Sequence, residues 1–217
     1  LTPDAVMNIL ENAGIRVVAT GLAYGTVTAI FPTDAAAPSG GSRKYEITTL
    51  RHDIKGDGRH AEVMFGRDWH IDAARRDLTI NAIYVDRYGA IFDPTESGIA
   101  DVAAGRVRFI GEPAQRIKED YLRILRFFRF LALFGRENET HEIEIATIND
   151  LRDGLDTISA ERKSDEILKL FAAPNPQYSI FLMETADISS KIFDAYDYKS
   201  LNNLKELEDR LQVSPCT

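Results

Sequence analysis

A chain of 217 residues with 44% hydrophobic and 28% charged side chains has the make-up of a globular protein of one large or two small domains. Its formal charge of -8 excludes a protein that coats nucleic acid by bulk electrostatics, and no apolar run approaches the ~20 residues a membrane span requires. The single cysteine, Cys216, excludes an internal disulfide framework and points to a reducing compartment, the cytoplasm. The chain opens on Leu1 without a signal peptide, and we expect a fragment of a longer protein.

In chain order, Thr2 or Asp4 can cap a helix running to Asn12, with Ala5, Val6, Ile9 and Leu10 as its apolar face and Gly14 as its stop. The β-branched run Ile15 to Ala19, Tyr24 to Phe31, Tyr45 to Leu50 and Ala61 to Phe65 read as strands. Pro32 to Lys44 reads as a loop, and Gly56-Asp57-Gly58 as a turn. This first third is α+β with an antiparallel sheet. Asp68 to Arg76 is helical, and Ile83–Val85 and Ala90–Phe92 form a hairpin across Asp86 to Gly89. Asp93-Pro94 and Ser97-Gly98 read as turns, and Val107 to Ile110 as a short β-like run. From Pro113 the pattern is helical, over Pro113–Phe134, Glu142–Leu151, Ala160–Phe171, Pro176–Thr185 and Leu201–Leu211. The composition changes near Gly111, which divides the chain into 1–111, 112–172 and 173–217.

Charge is distributed unevenly. Between Arg116 and Arg136 the cations Arg116, Lys118, Arg123, Arg126, Arg129 and Arg136 face only Glu119 and Asp120. Read as one helix, Asp120, Arg123, Arg126 and Arg129 form an i,i+3 ridge, while Leu122, Ile124, Leu125, Phe127, Phe128 and Phe130 bury the other side. Such a ridge suits phosphate binding or, with an acid and a guanidinium one turn apart, recognition of a base edge. On the helix alone, an amphipathic helix with an internal Asp120–Arg123 ion pair is the simpler reading. Arg75-Arg76-Asp77 with Asn81 joins a carboxylate and an amide to two guanidiniums, a set fit for a sugar hydroxyl and phosphates. Asp77 as a cap and Asn81 as a turn residue is the structural alternative. Asp53, at a strand end, could hold Mg²⁺, although one carboxylate alone makes a weak site. His52, His60, His70 and His141 lack zinc-ligand spacing, and no Walker, dinucleotide or Gly-x-Ser-x-Gly signature occurs.

Taken in order, Gly25 to Thr28, Glu46 to Asp53, Asp57-Gly58-Arg59, Arg75 to Ala82, Asp93-Pro94, Glu119 to Arg123 and Ser159 to Arg162 resemble the motifs of class II tRNA nucleotidyltransferases. These are the CCA-adding enzymes, and the bacterial poly(A) polymerases are their close relatives. The likeness covers residues 16 to 172. It implies an α+β fold: a nucleotidyltransferase head with a small mixed sheet over 1–111, a helical neck over 112–172, and the start of a helical body from 173. It implies addition of CMP and AMP from CTP and ATP to the tRNA 3' end, with Mg²⁺ and release of pyrophosphate. Asp120 and Arg123 would select the base, and Arg126 and Arg129 would contact the nucleotide or hold that pair. Arg76, Asp77 and Asn81 would bind ribose and phosphates, and Asp53 would be a catalytic metal ligand. The loop at Asp57-Gly58-Arg59 would take part in switching from C to A addition. The family's Gly-Gly segment and Asp-x-Asp pair do not occur in these 217 residues, so this stretch alone is expected to be inactive. Poly(A) polymerase, or a non-catalytic nucleotide- or RNA-binding module, are the alternatives. The oligomeric state is left open.

Overall fold

The computed structural model describes residues 1–32, 42–56 and 61–193, with the backbone alone at 53–56 and 61–62. They form two compact units, Leu1–Arg75 and Arg76 onward. The expected helix Leu201–Leu211, Asp57-Gly58-Arg59 and Cys216 lie outside the described residues.

In the first unit, helix α1 (Pro3–Asn12) is capped by Thr2, whose Oγ1 accepts from the Ala5 N–H at 3.4 Å. Strands β1 (Arg16–Gly21), β2 (Thr26–Pro32) and β3 (Ser42–Thr48) pair antiparallel in that order. Hydroxyl pairs Thr20–Thr28 at 2.8 Å and Thr26–Thr48 at 2.9 Å reinforce the ladder. The chain enters β2 through Gly25 at φ 84°, where a Cβ would lie 2.7 Å from the Phe65 ring; only glycine meets both demands. Strand β4 (Arg51–Gly56) pairs antiparallel with β5 (Ala61–Phe65). Helix α2 (Trp69–Ala74) is capped by Asp68 and tied to β4 by Asp72. That buried carboxylate accepts from the Arg51 N–H at 3.2 Å and from Arg75 at 2.6 Å. Thus the strand expected at 45–50 spans 42–48, taking in the end of the expected loop, and Asp53 is not at its end. Thr49 and Leu50 interrupt the run, and Asp53 sits inside β4 with its backbone opposite Val63.

The second unit begins with a 3-10 turn (Thr79–Ala82) and a hairpin of β6 (Tyr84–Val85) and β7 (Ile91–Phe92), turning at Gly89 with φ 87°. Helices α3 (Gly98–Ala104), α4 (Pro113–Glu119), α5 (Leu122–Phe134), α6 (Glu142–Leu151), α7 (Ala160–Phe171) and α8 (Pro176–Thr185) follow. Its core is built on α5, whose Leu122, Ile124, Leu125, Phe127, Phe128 and Leu131 are all buried. Phe127 stacks on Phe109 at 5.6 Å between centroids, and the Ser179 hydroxyl of α8 donates to the Phe128 carbonyl at 2.6 Å. Leu78, Val107 and Phe109 join this core, so the stretch from Arg76 to Phe109 packs with the helices. Val107 to Ile110 contributes only a bridge, Leu78 to Phe109.

Two expectations change here. Ser97-Gly98 opens a helix, α3, that glycine at its start and its seven-residue length hide from pattern reading. The helix expected over 113–134 is two, because Asp120 is extended at φ -158° and ψ 110°. Its carboxylate accepts from the Leu122 N–H at 3.1 Å, as a helix-starting residue does.

Removing the ring at the centre of this core, Phe127→Ala, is expected to cost about 3–5 kcal/mol of unfolding free energy. Urea denaturation followed by circular dichroism checks it.

Candidate functional site

Within the second unit, the Arg76–Asn81 segment and the arginine ridge of α5 meet. Asp77 is buried, and its Oδ1 accepts from its neighbour's backbone, the Leu78 N–H, at 3.0 Å and from the Asn81 amide at 2.9 Å. Its Oδ2 accepts from Arg126 Nε at 2.5 Å. Arg76 donates to the Asn81 carbonyl at 2.9 Å and lies over the Tyr84 ring, 5.1 Å from its centroid. The 3-10 turn brings these groups together by folding Asn81 back on Asp77. Carboxylate and amide meet, as the spacing suggested, without a continuous α-helix between them.

Burial by itself would raise the Asp77 pKa. The charge and hydrogen bond of Arg126, the Asn81 amide and the charge of Arg123 outweigh it and hold the carboxyl below its usual value. Arg126 responds in the opposite sense: burial opposes its charge, while Asp77 and then Glu166 and Asp120 raise its pKa above the ordinary value.

The ridge continues on α5. Arg129 donates to Glu166 at 2.6 Å and lies over the Phe130 ring at 4.3 Å, and Glu166 also approaches Arg126 at 4.0 Å. Arg123 donates to Glu119 at 2.5 Å and to the Arg116 carbonyl at 3.0 Å. Asp120 accepts from Arg162 of α7 at 2.7 Å. In place of the internal Asp120–Arg123 ion pair, Arg123 pairs with Glu119 across the α4–α5 break and Asp120 with Arg162 of α7. Burial raises the Glu119 pKa, but hydrogen bonds and charge from Arg123 and Arg116 outweigh it and lower the net value.

Carboxylates and guanidiniums therefore alternate from Glu119 through Arg123, and from Asp77 through Arg126 to Glu166 and Arg129. Arg76, Arg116 and Arg162 add cations at the margins. The excess of fixed, planar donors fits an anionic ligand with phosphate or carboxylate geometry. Glu166 was not singled out from sequence. The signal for it is a buried acid on the core-facing side of α7, four residues after Arg162. Asp53 is the site residue the structure does not unite with the others, its side chain lying outside the described residues. Among the described residues no three His, Cys, Asp or Glu side chains converge to hold a metal ion. The described residues thus supply no ligand set for Mg²⁺, and we derive no step through a metal. No described helix is long and apolar enough to cross a membrane.

Comparison with known proteins gives the family. Residues 1–108 match the poly A polymerase head domain, and residues 143–199 match the probable RNA and SrmB- binding site of polymerase A. These matches define the class: proteins that carry a poly A polymerase head domain. Over 193 residues the chain is 39% identical to the human mitochondrial CCA tRNA nucleotidyltransferase 1, covering 88% of this chain and 42% of that protein. It is 29% identical to the CCA-adding enzyme of Lactobacillus helveticus, over 99% of this chain and 51% of the relative. The crystal structure of the Bacillus stearothermophilus CCA-adding enzyme in complex with CTP superposes with a TM-score of 0.71 at 28% identity, covering 88% of this chain and 43% of that one. The chain belongs to the CCA-adding enzyme family. It spans about half the length of these relatives or less. Nucleotidyltransferases of this family generally use divalent metal ions.

Replacing Arg126 by Met leaves Asp77 buried without its cation, and the loss is expected at about 3–5 kcal/mol. Adding Asp77→Asn should recover most of it, and a double-mutant cycle in urea reads the coupling. The folded Asp77 pKa lies below that of the unfolded chain, about 3.9. Its stabilisation is therefore complete above that value and lost as pH falls through the folded one. Asp77→Asn should flatten the fall in stability as pH drops below about 4, measured by thermal unfolding.

Proposed function

We propose that this chain is the nucleotide-selecting part of an enzyme that adds CMP and AMP to the 3' end of tRNA, releasing pyrophosphate. The observation that carries the reading is the Asp77–Arg126 contact at 2.5 Å, which joins the ribose- and phosphate-binding segment to the base-selecting helix. Arg76, Asp77 and Asn81 hold the sugar and phosphates. Arg123 and Asp120 face the base, and Arg126 and Arg129 fix the wall between them.

The chemistry of this pair matches two bases. Cytosine and adenine each present an amino donor beside a ring-nitrogen acceptor on the Watson–Crick edge, while uracil and guanine place a carbonyl acceptor next to an N–H. A carboxylate accepts only, and a guanidinium donates only. Asp120 receiving the amino group and Arg123 reaching the ring nitrogen therefore favour C and A. Both residues must leave or share their present partners, Arg162 and Glu119, to do so.

We assign 1–111 to the head, 112–172 to the neck, and 173 onward to the start of the body. The reaction's divalent ion is taken as Mg²⁺, with Asp53, a hard oxygen donor, as its ligand in this stretch. The tRNA 3' end, CTP and ATP are the partners, and the cytoplasm is the compartment. The match to a poly A polymerase head domain favours poly(A) addition as the second reading.

The test supplies tRNA lacking its terminal CCA to the 217-residue chain and to the full-length product of its gene, with Mg²⁺ and labelled CTP, ATP, UTP or GTP. CMP followed by AMP incorporation by the full-length protein is expected, with none by the 217-residue chain. Runs of AMP alone would mean poly(A) addition. Nucleotide binding without turnover by either form would leave only a binding module. In the active form, Asp120→Ala should reduce the preference for CTP over UTP by about tenfold or more in kcat/KM.

A further inference from the structure

The turn that carries Asn81 is supported from behind by a buried acid. Thr79 opens this turn, and its hydroxyl donates to Asp101 Oδ2 at 2.7 Å; both residues are buried. Asp101 stands on α3 and is itself fixed by Arg108, whose Nε donates to Oδ2 at 3.0 Å and whose second nitrogen lies 2.8 Å from Oδ1. Arg106, pinned to Glu139 at 2.8 Å, approaches Oδ1 at 3.6 Å. The same helix meets the turn through Gly98, where a Cβ would lie 2.6 Å from the Thr79 carbonyl oxygen and 3.0 Å from Ile83. Asp93 closes the loop before α3, accepting from Thr95 at 2.7 Å and from the Ile99 N–H at 2.9 Å. On the near side, Asn81 donates to Asp77 and its carbonyl accepts from Arg76.

A hydrogen bond thus holds the start of the turn to a buried carboxylate, and two residues further on the same turn carries the Asn81 amide and carbonyl that bond Asp77 and Arg76. Arg108 supplies the cation that this buried carboxylate needs, and the Thr79 hydroxyl supplies a further hydrogen bond that ties it to the turn. Its bond to Thr79 fixes where the turn starts, and so where the Asn81 amide and carbonyl point. We propose that Asp101, acting through Thr79, is a positioning residue for nucleotide binding; this rests on the nucleotide-site reading given above. Gly98 contributes by letting α3 approach the turn backbone closely.

The experiment uses the 217-residue chain with CTP and with ATP in titration calorimetry, and follows backbone hydrogen exchange over 78–83. The variants are Thr79→Val, which keeps the shape and loses the hydroxyl, Thr79→Ser, which keeps the hydroxyl, and Asp101→Asn. Ile148→Val, a core change away from the turn, controls for general loss of stability. Thr79→Val and Asp101→Asn are expected to weaken nucleotide binding by about tenfold or more and to speed exchange at the Asn81 N–H. Thr79→Ser and Ile148→Val should stay within about threefold of the parent. Binding by Thr79→Val equal to the parent, or a loss in Thr79→Ser as large as in Thr79→Val, would overturn the proposal. If the parent binds neither nucleotide, the nucleotide-site reading fails in this chain, and exchange decides the rest. Unaltered protection at Asn81 in Thr79→Val would then show that Asp101 does not position the turn.

Discussion

A charge cannot be buried cheaply, and the second unit is organised by how it meets that cost at Asp77. Desolvating a carboxylate costs several kcal/mol unless a cation and further hydrogen bonds replace the lost water. Asp77 obtains the cation from Arg126, 49 residues away in sequence, and the hydrogen bonds from Leu78 and Asn81. Such a pair adds little net stability compared with a well-packed apolar contact. What it does impose is geometry: α5 can pack on the preceding segment only with the Arg126 face turned toward Asp77. The apolar residues of α5 supply the energy, and the ion pair restricts the rotation.

The other guanidiniums follow from that orientation. With Arg126 committed to Asp77, Arg123 one turn earlier reaches Glu119, and Arg129 one turn later reaches Glu166 of α7. Side chains this long lose considerable freedom when held, so a ligand arriving at the cluster meets donors whose ordering cost has already been met. Because each cation is presented by a helix packed into the core, the donor array is rigid where an exposed lysine cluster would not be.

Much of this was legible in the sequence, and the failures have physical causes. The helices over Glu142–Leu151, Ala160–Phe171 and Pro176–Thr185 were legible from their helix-forming composition, and their ends match. Arg76, Asp77 and Asn81 stood out because acid, amide and guanidinium occur together, and the structure joins them to Arg126. The break at Asp120 was hidden because good helix formers on both sides outvote one residue, whereas its carboxylate finds a better bond at Leu122 outside the helix. Helix α3 was hidden by Gly98, which is present for close packing against Thr79 and not for turning the chain. Glu166 escaped because a lone acid in a helical pattern looks solvent-facing until its buried partners are known, and Asp101 because its helix did. The strand β4 was obscured by Thr49-Leu50, whose break in pairing has no signature in propensity.

If Asp120 and Arg123 select the base as proposed, the interruption between α4 and α5 has a consequence for how one site would accept two bases of different size. On a continuous helix, acid and guanidinium three residues apart would be locked at a separation set by helical pitch. With Asp120 extended and outside both helices, that separation is governed by a few backbone torsions, and can change without melting a turn of either rod. A pyrimidine and a purine carry the same donor and acceptor order at different distances from the sugar. A ruler with one jointed end can measure both.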